Sequence, residues 1–166
     1  MPAAKQRPGA ATSSRSARLV DQRYTPYRLR IRHSRIHGKG VFALQSIPKG
    51  CRVIEYTGER ISRAETRRRF LKAWTSAGKR LYLARISAYW TIDGARGGSG
   101  AELINHCCEP NLRPLTLGRG RRLFFVSRRR IRRGEELTLD YAFRADGPKV
   151  PCHCGAAACR GTINLR

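Results

Sequence analysis

Apolar and polar residues alternate with a period of two where the chain first becomes patterned: Tyr27, Leu29 and Ile31 interleave with Arg28, Arg30 and Arg32, which predicts a strand with one basic face and a fold that starts near Tyr24. Apolar runs at residues 41–44 and 53–56 flank Pro48, Lys49 and Gly50. They read as a pair of short strands joined by turn chemistry, because proline presets one turn dihedral and glycine tolerates the unusual ones. Ser62 with Glu65 three residues on forms a capping box, and Phe70, Leu71 and Trp74 follow at helical spacing, so a helix is predicted there. Residues 81–86 and 90–93 read as strands. Residues 94–100 form a glycine-rich bend into the short apolar segment 101–104, and residues 123–126 and 137–141 are further strands on either side of a basic turn at Gly134. Neither a repeat nor a heptad occurs, so the fold class is β-rich α+β built from many short strands.

The length of 166 residues fits one domain with a short tail or an appended mini-module, and a hydrophobic share of 40% excludes a wholly disordered chain. No apolar run approaches the roughly 18 residues of a membrane helix, so no membrane partner is expected. Charge changes the picture more. Lys and Arg number 35 against 11 Asp and Glu, a net charge of +24, and 29 of the cations are arginine. Guanidinium is the better group for bidentate phosphate contacts, which points to nucleic acid contact through an Arg-rich surface. A genome-wide bias that raises Arg, Ala and Gly together is the plainer explanation. Residues 1–32 hold eight Lys and Arg against Asp21 and lack an apolar signal core, so residues 1–26 read as a basic, disordered arm resembling a transit peptide or a tether. A reducing, cytoplasmic or chromosome-associated setting follows, nuclear in a eukaryote or a host.

In such a setting the six cysteines favour metal over disulfides. Cys152, Cys154 and Cys159 form a Cys-x-Cys-x4-Cys array in a tail with little apolar content, which needs a metal to fold, and zinc requires a fourth ligand. Cys51, His106, Cys107, Cys108 and His153 are the candidates. Residues 105–111, Asn-His-Cys-Cys-Glu-Pro-Asn, pack two amides, an imidazole and two thiols into seven positions. Gly38, Lys39 and Gly40 allow a ligand to approach the backbone closely. Gly134 to Tyr141 runs from two acids, Glu135 and Glu136, to a carboxylate and a phenol.

These four elements, in this order, resemble the SET-domain lysine methyltransferases that carry a post-SET zinc module. Residues 34–42 look like the opening motif, 55–59 the next strand, 105–111 the Asn-His-Ser-Cys-x-Pro-Asn signature, 134–141 the Gly-Glu-Glu-Leu-Thr-x-Asp-Tyr signature and 152–161 the post-SET motif. The compact chain is most similar to small stand-alone bacterial members. The resemblance implies a SET domain over residues 27–143, whose signatures cross in a pseudoknot, and a post-SET module over residues 148–166. It implies S-adenosylmethionine bound by His37, Gly38, Lys39, Gly40, Tyr82, Asn105 and His106, with Tyr141 as the catalytic residue beside the transferred methyl. It further implies Zn2+ on Cys108, Cys152, Cys154 and Cys159, and a lysine substrate in a histone, nucleoid or ribosomal protein. Cys107 stands where serine is usual, Glu102 in the place of a common arginine and Leu103 in that of an aromatic. Leu139 stands at the switch position that influences how many methyl groups are added. A non-catalytic, zinc-stabilised module that binds nucleic acid or chromatin is the alternative, favoured by Glu102 and the arginines at 67–69 and 128–130.

Overall fold

The period-two alternation at residues 27–32 does become a strand in the computed structural model, which describes residues 20–75, 81–119 and 121–166. Most of the basic arm, residues 1–19, lies outside the described residues. Strand β1 (Leu29–His33) has Leu29 in the core and its arginines outside, and pairs antiparallel with β2 (Lys39–Ala43), Ile31 opposite Val41. Strand β3 (Arg52–Tyr56) follows, then β4 (Glu59–Ser62), helix α1 (Arg63–Trp74), β5 (Leu83–Arg85) and β6 (Trp90–Asp93). A 3-10 turn at Ala101–Leu103 leads into β7 (Asn105–His106), β8 (Leu112–Leu117), β9 (Arg122–Ser127) and β10 (Thr138–Leu139). Four small sheets result: β1-β2, β4-β6-β5, β3-β9-β8, and a parallel pair of β7 with β10. Their inner faces meet in one core that includes Leu29, Val41, Ile47, Val53, Ile104, Ile131 and Leu137.

Three expectations are corrected. The strands at 41–44 and 53–56 do not pair with each other; β2 joins β1 and β3 joins β9. The turn between them is real, with Gly50 at φ 81°. Its chain is captured elsewhere, because Ile47 and Ile131 exchange backbone hydrogen bonds of 2.9 Å each way and Ser127 Oγ donates to the Pro48 carbonyl. Second, α1 starts where the cap predicts, Ser62 Oγ accepting from the Glu65 N–H, yet Phe70 and Leu71 lie on the surface. The helix is anchored by charge: Arg69, only 17% exposed, bonds Glu59 of β4, Glu65 of α1 and Asp93 of β6. Third, residues 20–26, assigned to the arm by charge, are packed. Val20 is buried, the Asp21 N–H donates to the Ser99 carbonyl, and Thr25 Oγ1 donates to the Val53 carbonyl at 2.6 Å. The cations of the arm masked one apolar anchor.

The C-terminal tail has no core of its own. Asn164, 1% exposed, ties it together by donating to the Arg144 and Pro148 carbonyls and accepting from the Val150 N–H and Thr162 Oγ1. Among the described residues no helix is long and apolar enough to cross a membrane.

Candidate active site and thiolate cluster

Two segments 33 positions apart in sequence register side by side, Thr138 opposite Asn105 and Leu139 opposite His106. Two-residue strands have little pairing energy, so side chains must hold them. Asn111, 2% exposed, does this: Nδ2 donates to Glu135 Oε1 (2.9 Å) and the Glu136 carbonyl (2.7 Å), and Oδ1 accepts from the Thr138 N–H (2.8 Å). The Cys107 N–H adds a bond to the Leu139 carbonyl. This is the adjacency that a crossing of the two signatures requires.

The pair then fixes the loop at residues 34–40. Asn105 Nδ2 lies 3.1 Å from the carbonyls of both His37 and Lys39 and 2.8 Å from Glu136 Oε1. Glu136 also accepts from Ser34 Oγ, which in turn caps the Ile36 N–H, while the Ser34 N–H closes the turn on the Gly38 carbonyl. Gly38 takes φ 51°, a region that favours glycine. Gly40 is required for a different reason: a Cβ there would come within 2.2 Å of Glu136 Oε1. The side chains of His37 and Lys39 are exposed, so this loop offers its backbone to the site and not its side chains.

Tyr141 follows β10. Its backbone N–H donates to His106 Nδ1 (3.1 Å), its ring meets the His106 ring edge-on at 5.4 Å, and Phe143 stacks on its other side at 6.0 Å. The residue is 40% exposed, but the hydroxyl end lies deep and donates to the Ile104 carbonyl at 2.8 Å. Burial, reinforced by the nearby Tyr82 phenol and Glu136, pushes the Tyr141 phenol up to about 12. Tyr82 is held by its own backbone, whose carbonyl accepts from Tyr56 Oη (2.6 Å) and the Gly94 N–H. Burial pushes the Tyr56 phenol up as well, with Glu102, Asp93 and Tyr141 adding to the shift. Glu102 closes the glycine bend: its Oε2 accepts from the Gly100 N–H, and Cβ atoms at Gly94 or Gly98 would collide with it. The acid in the place of a common arginine thus fills a defined structural position.

Because His106 Nδ1 accepts, its proton sits on Nε2, which faces Cys108 Sγ at 3.4 Å. Burial holds the imidazole below its ordinary value, and the Arg160 charge adds to this against the opposing effect of Asp140. Cys108 lies 3.8 Å from Cys152 and 4.0 Å from Cys159, and all four sulfurs of Cys108, Cys152, Cys154 and Cys159 fall within 4.8 Å of one another. A ZnS4 tetrahedron with Zn–S near 2.3 Å has edges of about 3.8 Å, so the spacing fits. The cysteines are unpaired thiols, and the N–H groups of Arg160 and Gly161 point at the Cys108 and Cys159 sulfurs. Burial opposes ionisation of Cys154, yet the backbone N–H groups of Cys108 and Ala156, helped by the neighbouring thiols, bring it down to about 6. Arg160 clamps the tail to β10 through a bidentate pair with Asp140, 2.8 Å on each arm.

The structure therefore brings together Asn105, His106, Tyr141, Tyr82 and the 37–40 backbone, and separately gathers the four cysteines. Cys51, Cys107 and His153 do not join that cluster; Cys107 is buried with its thiol on the Glu109 carbonyl, and burial pushes it up to about 11. Sequence reasoning missed Ser34, Asn111 and Glu136 as the groups that hold the site. The only signal was that each is a polar residue inside a signature.

Comparison with known proteins matches this geometry. Residues 38–142 match the SET domain family. The chain is 38% identical over 139 residues to the histone-lysine N-methyltransferase set-2 of Caenorhabditis elegans, 82% of this chain and 9% of that protein. It is 40% identical over 139 residues to the H3 lysine-4 specific histone-lysine N-methyltransferase of Saccharomyces cerevisiae, 79% of this chain and 13% of that protein. The chain thus spans a small part of the length of these relatives. The methyltransferase domain of human SETMAR superposes with a TM-score of 0.74 at 24% identity, covering 87% of this chain and 60% of that one, which shows a shared fold. Both signatures and the loop they clamp lie within the matched residues, and on that ground the chain belongs to the SET-domain family.

Proposed function

We propose that this chain is an S-adenosylmethionine-dependent protein-lysine N-methyltransferase acting on a histone or another basic, nucleic-acid-associated protein, with a structural zinc on Cys108, Cys152, Cys154 and Cys159. The observation that carries the reading is the Tyr141 phenol, anchored on the Ile104 carbonyl within one residue of the Asn105–His106 pair and next to the backbone cradle at residues 37–40. Family membership supports it, and the matched relatives are themselves named histone-lysine methyltransferases.

When bound, S-adenosylmethionine supplies an electrophilic methyl group. His37, Gly38, Lys39 and Gly40 would hold it through backbone groups, with Tyr82, Asn105 and His106 at its other contacts. The chain must then present a neutral lysine amine, whose ordinary pKa is near 10.4. Tyr141 stays a neutral phenol to about 12, so at neutral pH it serves as a hydrogen-bonding post and not as a base. Its proton is committed to the Ile104 carbonyl, which leaves the oxygen lone pair free to accept an N–H from the amine and aim it. Glu136 is occupied by Ser34 and Asn105 and has no part in proton removal. The departure at Glu102 does not count against activity, because that carboxylate is internal to the glycine bend. A pure binding module has no use for an anchored phenol, which weighs against the non-catalytic alternative.

The test is transfer of labelled methyl from S-adenosylmethionine to core histones, nucleosomes and a basic protein extract by zinc-loaded protein and by Tyr141→Phe, with mass spectrometry of the product. Label on lysine that the variant loses supports the reading. No label from folded, zinc-loaded wild type overturns it in favour of the binding module. One zinc per chain, lost in Cys108→Ser, checks the metal assignment separately.

A further inference from the structure

The turn between β9 and β10 reads Arg128-Arg129-Arg130-Ile131-Arg132-Arg133-Gly134, five cations around one apolar residue. Ile131 is fully buried and exchanges backbone hydrogen bonds with Ile47, the Arg128 N–H donates to the Asn111 carbonyl, and the Gly134 N–H donates to the Ala43 carbonyl at 2.7 Å. A segment nailed down at three points presents exposed arginines from a fixed frame, so little backbone ordering entropy is lost when a ligand meets them. Arg129, Arg130, Arg132 and Arg133 line an open cavity of about 1070 Å³, completed by Ser46 and Glu135.

The charge of this cavity is compensated only at Arg129. The chain has eleven acids, and eight of them are bonded to arginines: Asp21, Glu55, Glu59, Glu65, Asp93, Glu135, Asp140 and Asp146. Of the other three, Glu102 is closed on Gly100, Glu136 on Ser34 and Asn105, and Glu109 does not line the cavity. Within the cavity Glu135 is matched by Arg129 at 2.6 Å and by the Arg132 N–H. The Arg130 side chain bonds the Ser46 hydroxyl through Nε, and the guanidinium groups of Arg132 and Arg133 form no ion pair among the described residues. Three guanidinium groups therefore stand without counter-charge on a rigid turn.

We propose that this cavity docks the phosphate backbone of a nucleic-acid duplex without reading its sequence. The trough is far larger than a single phosphate, and its forks suit bidentate phosphate oxygens. No apolar or aromatic side chain lines it, so it offers no platform for a base, and contacts to phosphate alone position a duplex without specifying it; a carboxylate-rich peptide is the competitor that the experiment must separate. The docking also answers the difficulty of a strongly cationic protein approaching a basic substrate: the nucleic acid that carries the substrate supplies the attraction. Binding is read directly, so the inference stands apart from methyl transfer.

The experiment is fluorescence anisotropy of a labelled 20-base-pair duplex with the full, zinc-loaded chain over 50 to 200 mM salt. Three phosphate contacts contribute about 2.7 to the slope of log affinity against log salt, or about a 40-fold change across that range. The triple variant Arg130→Gln, Arg132→Gln, Arg133→Gln is expected to lose that slope. The charge-matched control Arg63→Gln, Arg67→Gln, Arg85→Gln, from exposed positions elsewhere, is expected to lose little of it, and the Arg→Lys triple in the cavity to retain it. Equal losses in the two glutamine triples overturn the proposal in favour of net charge alone. A wild-type slope in the cavity triple overturns it outright. Competition by polyglutamate as effective as by duplex, charge for charge, replaces the nucleic acid with an acidic protein as the partner.

Discussion

Truncating Asn111 to alanine is expected to be among the most damaging single changes outside the apolar core. The side chain is 2% exposed and makes three hydrogen bonds, to Glu135 Oε1, to the Glu136 carbonyl and from the Thr138 N–H. Glu135 keeps Arg129 and the Arg132 N–H, so its loss is small. The Glu136 carbonyl and the Thr138 N–H are left buried without those partners, at about 1–3 kcal/mol each. A total near 4 kcal/mol is a large share of the 5–15 kcal/mol typical of a whole domain. With a urea m-value of about 2 kcal/mol/M, the midpoint should fall by about 2 M. Asn111→Asp sharpens the test. It keeps the acceptor for Thr138 but turns a carboxylate toward Glu135 and the Glu136 carbonyl, so burial and repulsion raise its folded pKa above the ordinary value near 3.9. The destabilisation is then full above the folded pKa and disappears as pH falls below the unfolded one. Urea titrations of zinc-loaded protein at several pH values, followed by tryptophan fluorescence, measure both effects. A midpoint shift under 0.5 M for Asn111→Ala, or an aspartate variant with the same pH dependence as alanine, would refute the reasoning.

Gly40→Ala places a methyl group 2.2 Å from Glu136 Oε1 and should lower the melting temperature by several degrees, with most of the loss absent when Glu136 is already alanine; a double-mutant cycle in thermal melting checks the coupling. Arg68 and Arg69 bring Glu65 down to about 2, so its stabilising contribution is complete above the unfolded value near 4.3 and is lost as pH falls through about 2. Glu65→Gln should therefore melt below wild type at pH 7 and converge with it at about pH 2. Arg69→Met leaves Glu59, Glu65 and Asp93 without their common cation and should lower the urea midpoint, part of the loss being recovered by adding Asp93→Asn.

How far the sequence could be read depended on the range of the interaction. The strand at Leu29–His33, the apolar run in Arg122–Ser127 and the Ser62 cap are local patterns, and each appears where its period or cap places it. Strand Leu112–Leu117 was missed because Pro114 argues against a strand; it is tolerated since β8 lies at a sheet edge. β7 and β10 are two residues long and have no period to detect. The helix was legible from its cap, but its anchor was not: Phe70 and Leu71 drew attention while Arg69 makes the contacts. The cysteine triplet pointed to metal by spacing, whereas Cys108 as the fourth member needed either the family resemblance or the fold that brings it 3.8 Å from Cys152. Glu136 was illegible for the same reason, since its partners Asn105 and Ser34 lie 31 and 102 residues away.

The parallel pairing of Asn105–His106 with Thr138–Leu139 also sets an order of events during folding. The chain between the two segments is the β8–β9 hairpin, a local structure that closes on its own in microseconds and then needs only β3 to complete its sheet. The parallel pair, by contrast, has no hydrogen bonds to gain until that intervening loop is closed, and the 34–40 segment cannot be clamped until Asn105 and Glu136 have met. The turn at residues 34–40 can form with the β1–β2 hairpin, but its clamp onto Asn105 and Glu136 is expected only after the parallel pair has closed. A chain caught midway through refolding holds its hairpin but has no competence to bind, and recovery of the site should lag recovery of strand signal in any time-resolved experiment.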